Sequence, residues 1–249
     1  MTVKPEELLI GTVAELIGQV RHVAVGALSP IPAAAALLGA RHHAGMRVSI
    51  LNSRRHSFFT DGGRELFDCA GQGRIDAFFL SGGQIDGAGN VNLVAIGEYE
   101  RPKARFSGSF GSAYLYYVVP KVILFRLEHT RRTLVEKVDF VSAPGSSPPG
   151  TYRPGGPVAL VTELCLFRFD KAAGRFALQS LHPGVTIEEV RDRTGFAFEA
   201  PDQVPTTPPP SEADLALIRG PVAEELAETY PTFAADVLGW RTIVGETAR

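Results

Sequence analysis

The sequence lacks the features that mark three classes of protein: those built on disulfides or zinc, those that bind nucleic acid and those that span a membrane. Its 249 residues include only two cysteines, Cys69 and Cys165, which stand far apart and form no CxxC pair, so neither a disulfide scaffold nor a zinc site is indicated. Lys and Arg number 25 against 27 Asp and Glu, so the basic excess typical of nucleic-acid binding is missing. No stretch approaches the ~20 apolar residues of a membrane span. These features predict a cytoplasmic protein that binds neither nucleic acid nor membrane.

What the sequence does have is an alternation of helical and strand-like segments. The first helical segment, residues 5–20, carries apolar residues at helical spacing, with Glu6, Glu7 and Glu15 on the other face. Acids at these positions are not typical of a signal peptide. The following strand-like segments are 22–26, 48–51 and 75–80, and the helical segments between them are 33–41 and 62–70. This order predicts an α/β protein with an open, largely parallel sheet, whose ligand-binding loops lie at the C-terminal ends of the strands.

The second half of the chain is richer in strands. The strand-like segments there are 120–129, 157–161 and a hairpin of 165–170 with 175–181. Two stretches rich in proline are expected to be irregular, a surface loop over 142–156 and a connector over 201–210 that leads to a C-terminal helix near 211–217 and a tail. We expect a single domain over residues 1–249.

A glycine- and serine-rich segment, residues 107–112, is the first candidate for ligand binding. Its small side chains allow backbone N–H groups to approach an anionic oxygen. It matches neither a Walker A loop nor a dinucleotide-binding loop, so a plain turn is the alternative. The segment 84–92 is likewise either a functional loop or a glycine-rich turn.

Two segments with arginine are further candidates. The residues around Arg126 are typical of a strand buried on both faces, so Arg126 either faces solvent on an edge strand or is paired within a site. Residues 52–56 follow the strand over 48–51, where open α/β sheets place ligand contacts, and a solvated basic turn is the alternative.

Histidines offer a weaker signal. His42, His43 and His129 could ligate a metal, but no carboxylate or cysteine stands at ligand spacing, so ordinary surface histidines are favoured and no metal site is expected. Neither a Gly-x-Ser-x-Gly elbow nor a His-Glu-x-x-His motif occurs, which argues against α/β-hydrolase and zincin chemistry.

Four segments, taken in order, resemble the beta subunits of class I CoA-transferases, in particular the glutaconate CoA-transferase-like branch. They are QIDGAGNVN (84–92), GSFGSA (108–113), RRTLVEKVDF (131–140) with SAPG (142–145), and HPGVTIEEVRDRTGF (182–196). The resemblance implies a three-layer α/β CoA-transferase fold and a homologous alpha subunit, commonly in an α2β2 assembly. It also implies an acyl-CoA site between the two subunits, with no cofactor besides the CoA of the substrate.

One position departs from the family pattern. Such transferases carry a nucleophilic glutamate in a Ser-Glu pair after an early strand, and this pair aligns here with Ser53 and Arg54. An arginine guanidinium stays protonated and has no free lone pair, so it cannot attack a thioester. Among relatives without this glutamate, the sequence is most similar to the ring-cleaving hydrolases of steroid degradation, which open the last ring of a cyclic β-keto acyl-CoA by retro-Claisen addition of water.

The ring-opening reaction needs hydrogen-bond donors for anionic oxygens, and each candidate residue is assigned a role on that basis. Arg126 and Arg54 are the expected catalytic residues, as partners of anionic oxygens in the substrate or intermediate. The expected substrate- and CoA-binding residues are Asn52, Ser53, Gly108, Ser109, Phe110, Gly111 and Ser112. The carboxylate base is expected from the alpha subunit.

Two alternatives stay open. One is the beta subunit of a CoA-transferase for a dicarboxylate, with its glutamate supplied elsewhere, for example by Glu65, Glu98 or Glu163. The other is a scaffold subunit without catalytic residues, which completes the fold and CoA pocket of its partner.

Overall fold

The computed structural model describes residues 2–241, and its main element is a seven-stranded sheet. The strands in chain order are β1 (His22–Val25), β2 (Arg47–Ile50), β3 (Ala77–Leu80), β4 (Gln84–Ile85), β5 (Val91–Asn92), β6 (Ala95–Gly97), β7 (Pro102–Arg105), β8 (Lys121–Phe125), β9 (Pro157–Val161), β10 (Cys165–Asp170) and β11 (Arg175–Leu181). The α-helices are α1 (Pro5–Ile17), α2 (Pro30–His42), α3 (Gly62–Gly71), α4 (Ser112–Val118), α5 (Ile187–Arg193), α6 (Glu212–Leu217), α7 (Ala223–Leu226) and α8 (Pro231–Asp236). A π-helical turn, Ile218–Val222, joins α6 to α7.

The sheet has the strand order β11-β10-β9-β8-β3-β1-β2. The five strands from β9 to β2 are parallel, and β10 pairs antiparallel with both β9 and β11. The predictions of an open, largely parallel sheet and of a β-rich second half are therefore confirmed. The parallel strands end at one edge of the sheet, where α/β proteins place their sites.

Helices cover both faces of the sheet because its strands carry apolar side chains on both sides. On β8, Val122 and Leu124 point into one core with α3, α4 and α5, whereas Ile123 points into the other with α1, α2 and the segment 218–226. The result is the expected three-layer α/β arrangement. No helix within residues 2–241 has both the length and the apolar character that crossing a membrane requires.

Helix α1 differs from the prediction at one residue. Glu7 was expected on the outer face with the other acids, but it is fully buried. Arg219 in the π-helical turn binds it through two hydrogen bonds, Nε to Oε1 at 2.6 Å and Nη2 to Oε2 at 2.7 Å. Burial alone would raise the pKa of Glu7, but the hydrogen bonds from Arg219 and the Lys4 N–H hold it below its ordinary value. The ion pair thus joins the first helix to the C-terminal helices.

Other elements also differ from the sequence-based expectations. The strand predicted over 120–129 ends at Phe125, and helical structure continues beyond 217 as far as Asp236. The short hairpins β4–β5 and β6–β7 and helix α4 were not predicted. The end of the expected C-terminal tail, residues 242–249, lies outside the described residues, and the single domain over 1–249 stays a prediction.

Candidate active site

Arg126 lies directly after β8, at the edge of the sheet where the parallel strands end. Because β8 is flanked by β3 and β9, Arg126 is not on an edge strand. Its backbone N–H donates to the Val161 carbonyl at 2.9 Å, which continues the ladder by one bond beyond the strand. Its side chain is 30% exposed, and Nη2 donates to Glu128 Oε2 at 2.8 Å. Of the two alternatives left by the sequence, the paired arginine is the one observed.

Glu128 stands between two arginines. Arg126 binds one of its oxygens, and Arg132 binds the other at 2.5 Å. The hydrogen bond from Arg132, followed by that from Arg126, lowers the pKa of Glu128 despite partial burial. Glu128 therefore stays ionised and holds the Arg126 guanidinium in place. Within residues 2–241 the Arg126 Nε is shielded from solvent and has no hydrogen-bond partner, so the exposed part of the guanidinium is what can meet a ligand.

Two clefts meet at Arg126, Glu128 and Ser81. The first encloses about 520 Å³, and its walls are largely apolar, with Leu28, Ile31, Phe79, Phe125, Leu127 and Phe233 among the residues that line it. The second encloses about 570 Å³ on the other side of Arg126, and it is lined by the glycine pair Gly82 and Gly83 together with Leu93, Phe106, Ser107 and Arg132. The arrangement places the Arg126 guanidinium between two clefts that are both lined mainly by apolar surface.

The loop that carries Arg126 and Glu128 is anchored by His129. This residue was expected on the surface, and the expectation was wrong, because the ring is fully buried. Nδ1 lies 2.8 Å from the Thr162 hydroxyl and Nε2 lies 2.8 Å from the Thr194 hydroxyl. Since Thr194 donates to the Val190 carbonyl, its oxygen is left to accept from Nε2–H. Burial, with the charges of Arg193 and His182, lowers the pKa of His129 to about 4, so the ring is neutral at physiological pH.

The predicted residues Asn52, Ser53 and Arg54 lie after β2, the last strand at one side of the sheet. Ser53 is buried, and its hydroxyl donates to Glu228 Oε2 at 2.7 Å. The Arg54 N–H donates to Glu228 Oε1 at 3.0 Å and its Nε at 3.3 Å, while the side chain is 92% exposed. The hydrogen bond from Ser53 and that from the Arg54 N–H are causes that lower the pKa of Glu228 to about 2. The Glu228 carboxylate thus holds the loop 52–54 in place through hydrogen bonds.

The predicted loop from Gly108 to Ser112 leads into α4. Gly108 and Gly111 adopt positive φ of 103° and 72°, a conformation that favours glycine. Phe110 is exposed, and its ring packs against Phe67 of α3 at 5.6 Å between centroids. The Ser112 N–H is engaged by the Ser109 carbonyl at 2.7 Å, and the Ser112 hydroxyl is buried with no partner among the described residues.

Residues 34–193 match the profile of a protein family described as Coenzyme A transferase, which is 160 of the 249 residues. The chain belongs to this family. Among curated proteins it is 38% identical over 153 residues to one of the subunits of the 3-oxoadipate CoA-transferase of Pseudomonas knackmussii, covering 59% of this chain and 58% of that one. It is 32% identical over 162 residues to the IpdB subunit of the cholesterol ring-cleaving hydrolase of Rhodococcus jostii, covering 63% and 62%. The matches thus leave more than a third of each relative's length unmatched.

Solved structures of this family confirm the fold. The decarboxylase AibA/AibB superimposes with a TM-score of 0.75 at 25% identity, covering 88% of this chain and 94% of that chain. The glutaconate coenzyme A-transferase of Acidaminococcus fermentans gives the same TM-score, identity and coverage. The expected resemblance to the glutaconate CoA-transferase-like branch is therefore confirmed.

Within this CoA-transferase fold, the predicted site residues do not all come together. Arg126 lines both clefts, whereas neither the segment 52–54 nor the loop 108–112 lines either of them. Their roles stay predictions. Glu128, Arg132 and Glu228 were not predicted from the sequence. Glu128 could have been found from its place two residues after Arg126, but nothing in the sequence connects Glu228 to a loop 174 positions earlier.

The three glutamates proposed as alternative nucleophiles lie outside these clefts. Glu65 accepts hydrogen bonds from the Thr60 N–H and hydroxyl and from the Asp61 N–H at the start of α3. Glu163 accepts from Arg193 and from the His129 N–H, and Glu98 lies exposed at the turn between β6 and β7. None of the three is held next to Arg126.

Proposed function

We propose that this chain is the beta subunit of a cytoplasmic heteromeric hydrolase of the CoA-transferase family. The enzyme would open the last ring of a steroid-derived cyclic β-keto acyl-CoA by retro-Claisen addition of water, with no cofactor besides the CoA of the substrate. The observation that carries this proposal is the partly exposed Arg126 guanidinium at the end of the apolar cleft, where Glu128 holds it.

The chemistry of the first cleft favours a cyclic substrate over a dicarboxylate. Its apolar walls suit a hydrocarbon ring, which gains free energy from leaving water. The charged groups that line it are Arg126 and the carboxylates of Glu6 and Glu128. Arg126 is the one cation among the described residues that line this cleft, so a second carboxylate on the substrate would find no cation of its own there.

The proposed reaction requires donors for two successive oxyanions. Hydroxide derived from water adds to the ring ketone, and the bond between this carbon and the α-carbon of the thioester breaks. The electron pair passes to the thioester enolate, which takes up a proton at the α-carbon, while the ketone carbon becomes a carboxylate. Arg126 stabilises the developing negative oxygen through the exposed part of its guanidinium. Ser53 and the exposed Arg54, with Asn52 and the loop 108–112, are proposed to contact the CoA thioester.

The base for water is proposed to come from an alpha subunit. Glu128 is a poor base because both of its oxygens accept hydrogen bonds from arginines, which also lower its pKa. The 3-oxoadipate relative and the ring-cleaving relative are each one subunit of a larger enzyme, which supports a heteromer. We propose an α2β2 assembly, with the acyl-CoA bound between the subunits.

Substitution of Arg126 tests this function. In the complex with its alpha-type partner, Arg126→Ala is expected to lower kcat for the cyclic β-keto acyl-CoA by about 10²–10³, the usual loss for one oxyanion donor. Arg191→Gln, on the exposed face of α5, is the control and should leave kcat unchanged. The product is identified by mass spectrometry as substrate plus one water. Unchanged turnover in Arg126→Ala would remove Arg126 from the mechanism.

A CoA-transferase subunit is the second candidate, favoured by the 38% identity with the 3-oxoadipate enzyme. Under this hypothesis hydroxylamine should trap a covalent enzyme thioester in the complex, and peptide mapping should find the modified glutamate. Hydrolysis without a carrier gives no such adduct.

The Arg54→Glu variant tests the transferase hypothesis by restoring a glutamate at the nucleophile position. If the transferase scaffold is intact and lacks only the nucleophile, the variant should gain CoA transfer between acyl-CoA and a free acid. Absence of transfer in a folded Arg54→Glu complex would contradict that expectation. Full activity after every candidate substitution would favour a scaffold subunit.

A further inference from the structure

A separate cavity lies at the opposite edge of the sheet from Arg126, where the parallel strands begin. His22 and Arg47 are the first residues of β1 and β2, and they are direct partners in the sheet. Arg21 precedes β1, and Arg74 lies between α3 and β3. These residues line a cavity of about 230 Å³, which is closed by Phe58, Phe59 and Glu65.

The carboxylates at this cavity are already occupied. Asp76 accepts from the Arg21 side chain, at 2.6 Å from Nη2, and from the N–H groups of Arg21 and His22. Glu65 accepts from the Thr60 N–H and hydroxyl and from the Asp61 N–H, which hold its pKa below its ordinary value. Arg21 is therefore neutralised by its partner, and neither acid binds the other two arginines.

Among the described residues, Arg47 and Arg74 have no carboxylate in direct contact, although the charge of Arg74 helps to lower the pKa of Glu65 at the same cavity. Within residues 2–241 neither guanidinium forms an ion pair. Arg74 donates to the Gln72 side-chain amide at 3.2 Å, and Arg47 lies over the Phe58 ring at 5.1 Å. The ring fixes the Arg47 guanidinium plane, so less entropy is lost when it binds an anion. Two guanidinium forks next to one cavity match the oxygens of a phosphate, which arginine binds in a bidentate manner.

We propose that this cavity binds a phosphomonoester group carried by a nucleotide. Arg47 and Arg74 bind the phosphate oxygens, and the half-exposed Phe58 ring packs against the attached sugar or base. The volume is smaller than the ~300–1,000 Å³ of pockets that enclose a whole drug-sized ligand, so the cavity takes the phosphate end and leaves the rest of the molecule on the surface.

Two sources supply this chemistry. One is the 3′-phosphate on the ribose of CoA, and the other is a separate phosphorylated metabolite. Binding at this cavity involves none of the residues assigned to the ring-opening reaction, so it stands or fails independently of that function.

Calorimetric titration of the full chain with adenosine 3′,5′-bisphosphate tests the proposal. The expected result is binding that weakens as salt is raised and that loses about tenfold or more in affinity in the double variant Arg47→Gln, Arg74→Gln, because both charged contacts to the phosphate are removed. Arg191→Gln is the matched control and should bind as the unaltered chain does. Thermal unfolding of each variant confirms that it is folded.

Parallel titrations separate the two sources. Tighter binding of CoA than of dephospho-CoA, lost in the double variant, assigns the cavity to the CoA phosphate. Equal binding of these two, with inorganic phosphate bound through the same arginines, assigns it to a free phosphorylated metabolite. Equal affinity of the bisphosphate for the unaltered chain and the folded double variant, or no binding of any probe at millimolar concentration, overturns the proposal.

Discussion

Arg54 and Arg126 differ in what surrounds their guanidinium groups, and the difference suits different tasks. Arg126 is partly enclosed, oriented by a carboxylate that is itself held by Arg132, and left with one donor that no described residue engages. The Arg54 side chain extends into solvent, while a hydrogen bond from its backbone N–H to Glu228 fixes the loop that carries it. A preorganised donor stabilises a transition state without further rearrangement. An exposed cation, in contrast, becomes ordered only when its charged partner binds.

The hydrogen bonds between Glu228 and the loop that carries Arg54 lead to a prediction for a single residue. Glu228→Gln removes the charge that accepts from Ser53 and from the Arg54 N–H, so we expect the free energy of unfolding to fall by about 1–3 kcal/mol. Hydrogen exchange of amides in residues 52–56 should become faster. The control is Glu224→Gln on α7, an exposed side chain. If exchange in this loop stays as slow as in the unaltered chain, Glu228 does not fix it.

At the scale of elements, the glycine-rich turn over 86–90 and the proline-rich loop over 142–156 form one unit. The Val91 N–H donates to the Ala143 carbonyl at 2.9 Å, and the Gly145 N–H donates to the Asn90 side-chain oxygen at 3.1 Å. A side chain at Gly145 would overlap the Ala88 carbonyl oxygen and the Gly89 backbone. Close approach of two backbones therefore explains a glycine at this position.

Gly145→Ala should consequently destabilise the protein. Because the obstructing atoms belong to backbone, they can move only if the turn moves, and we expect the free energy of unfolding to fall by about 1–3 kcal/mol. Urea unfolding followed by circular dichroism measures it. Gly26→Ala is the matched control, since an added Cβ there meets no atom within 4 Å. A Gly145→Ala variant as stable as this control would show that the two loops separate readily.

Sequence patterns predicted the elements that bury one or two continuous apolar faces. The strands at 22–26, 48–51 and 75–80 and the hairpin 165–181 were found because apolar periodicity reports burial directly. Helix α4 was missed because its start, Gly111 and Ser112, has the composition of a turn. Glu7 and His129 were misplaced because their burial depends on partners far along the chain, Arg219 in one case and Thr162 and Thr194 in the other.

For the whole molecule, buried histidines make stability depend on pH. His129 has a pKa of about 4 when folded against an ordinary value of 6.5, so the unfolded chain binds a proton that the folded chain does not bind between these values. Burial lowers the pKa of His22 and His182 as well. Stability is therefore expected to fall as pH decreases from about 6.5 to 4, with His129 contributing about 3 kcal/mol.

Urea unfolding at several pH values measures this slope. His129→Gln should unfold more easily at pH 7 and show a smaller decrease between pH 6.5 and 4, because the group that titrates is gone. His43→Gln, outside the buried network, should keep the slope of the unaltered chain. A slope unaffected by His129→Gln would place the titrating groups elsewhere in the molecule.

The C-terminal helices reach two distant parts of the fold, since Arg219 binds Glu7 in the first helix and Glu228 binds the loop after β2. During synthesis on the ribosome these contacts can form only after the strands β1 to β11 have been made. Until residue 219 has left the exit tunnel, Glu7 lacks the guanidinium that binds both of its oxygens in the interior, so burial of this carboxylate costs more free energy. The loop at 52–56 waits longer still, until Glu228 emerges. All strands of the sheet are thus synthesised before the residues that complete this part of the candidate site.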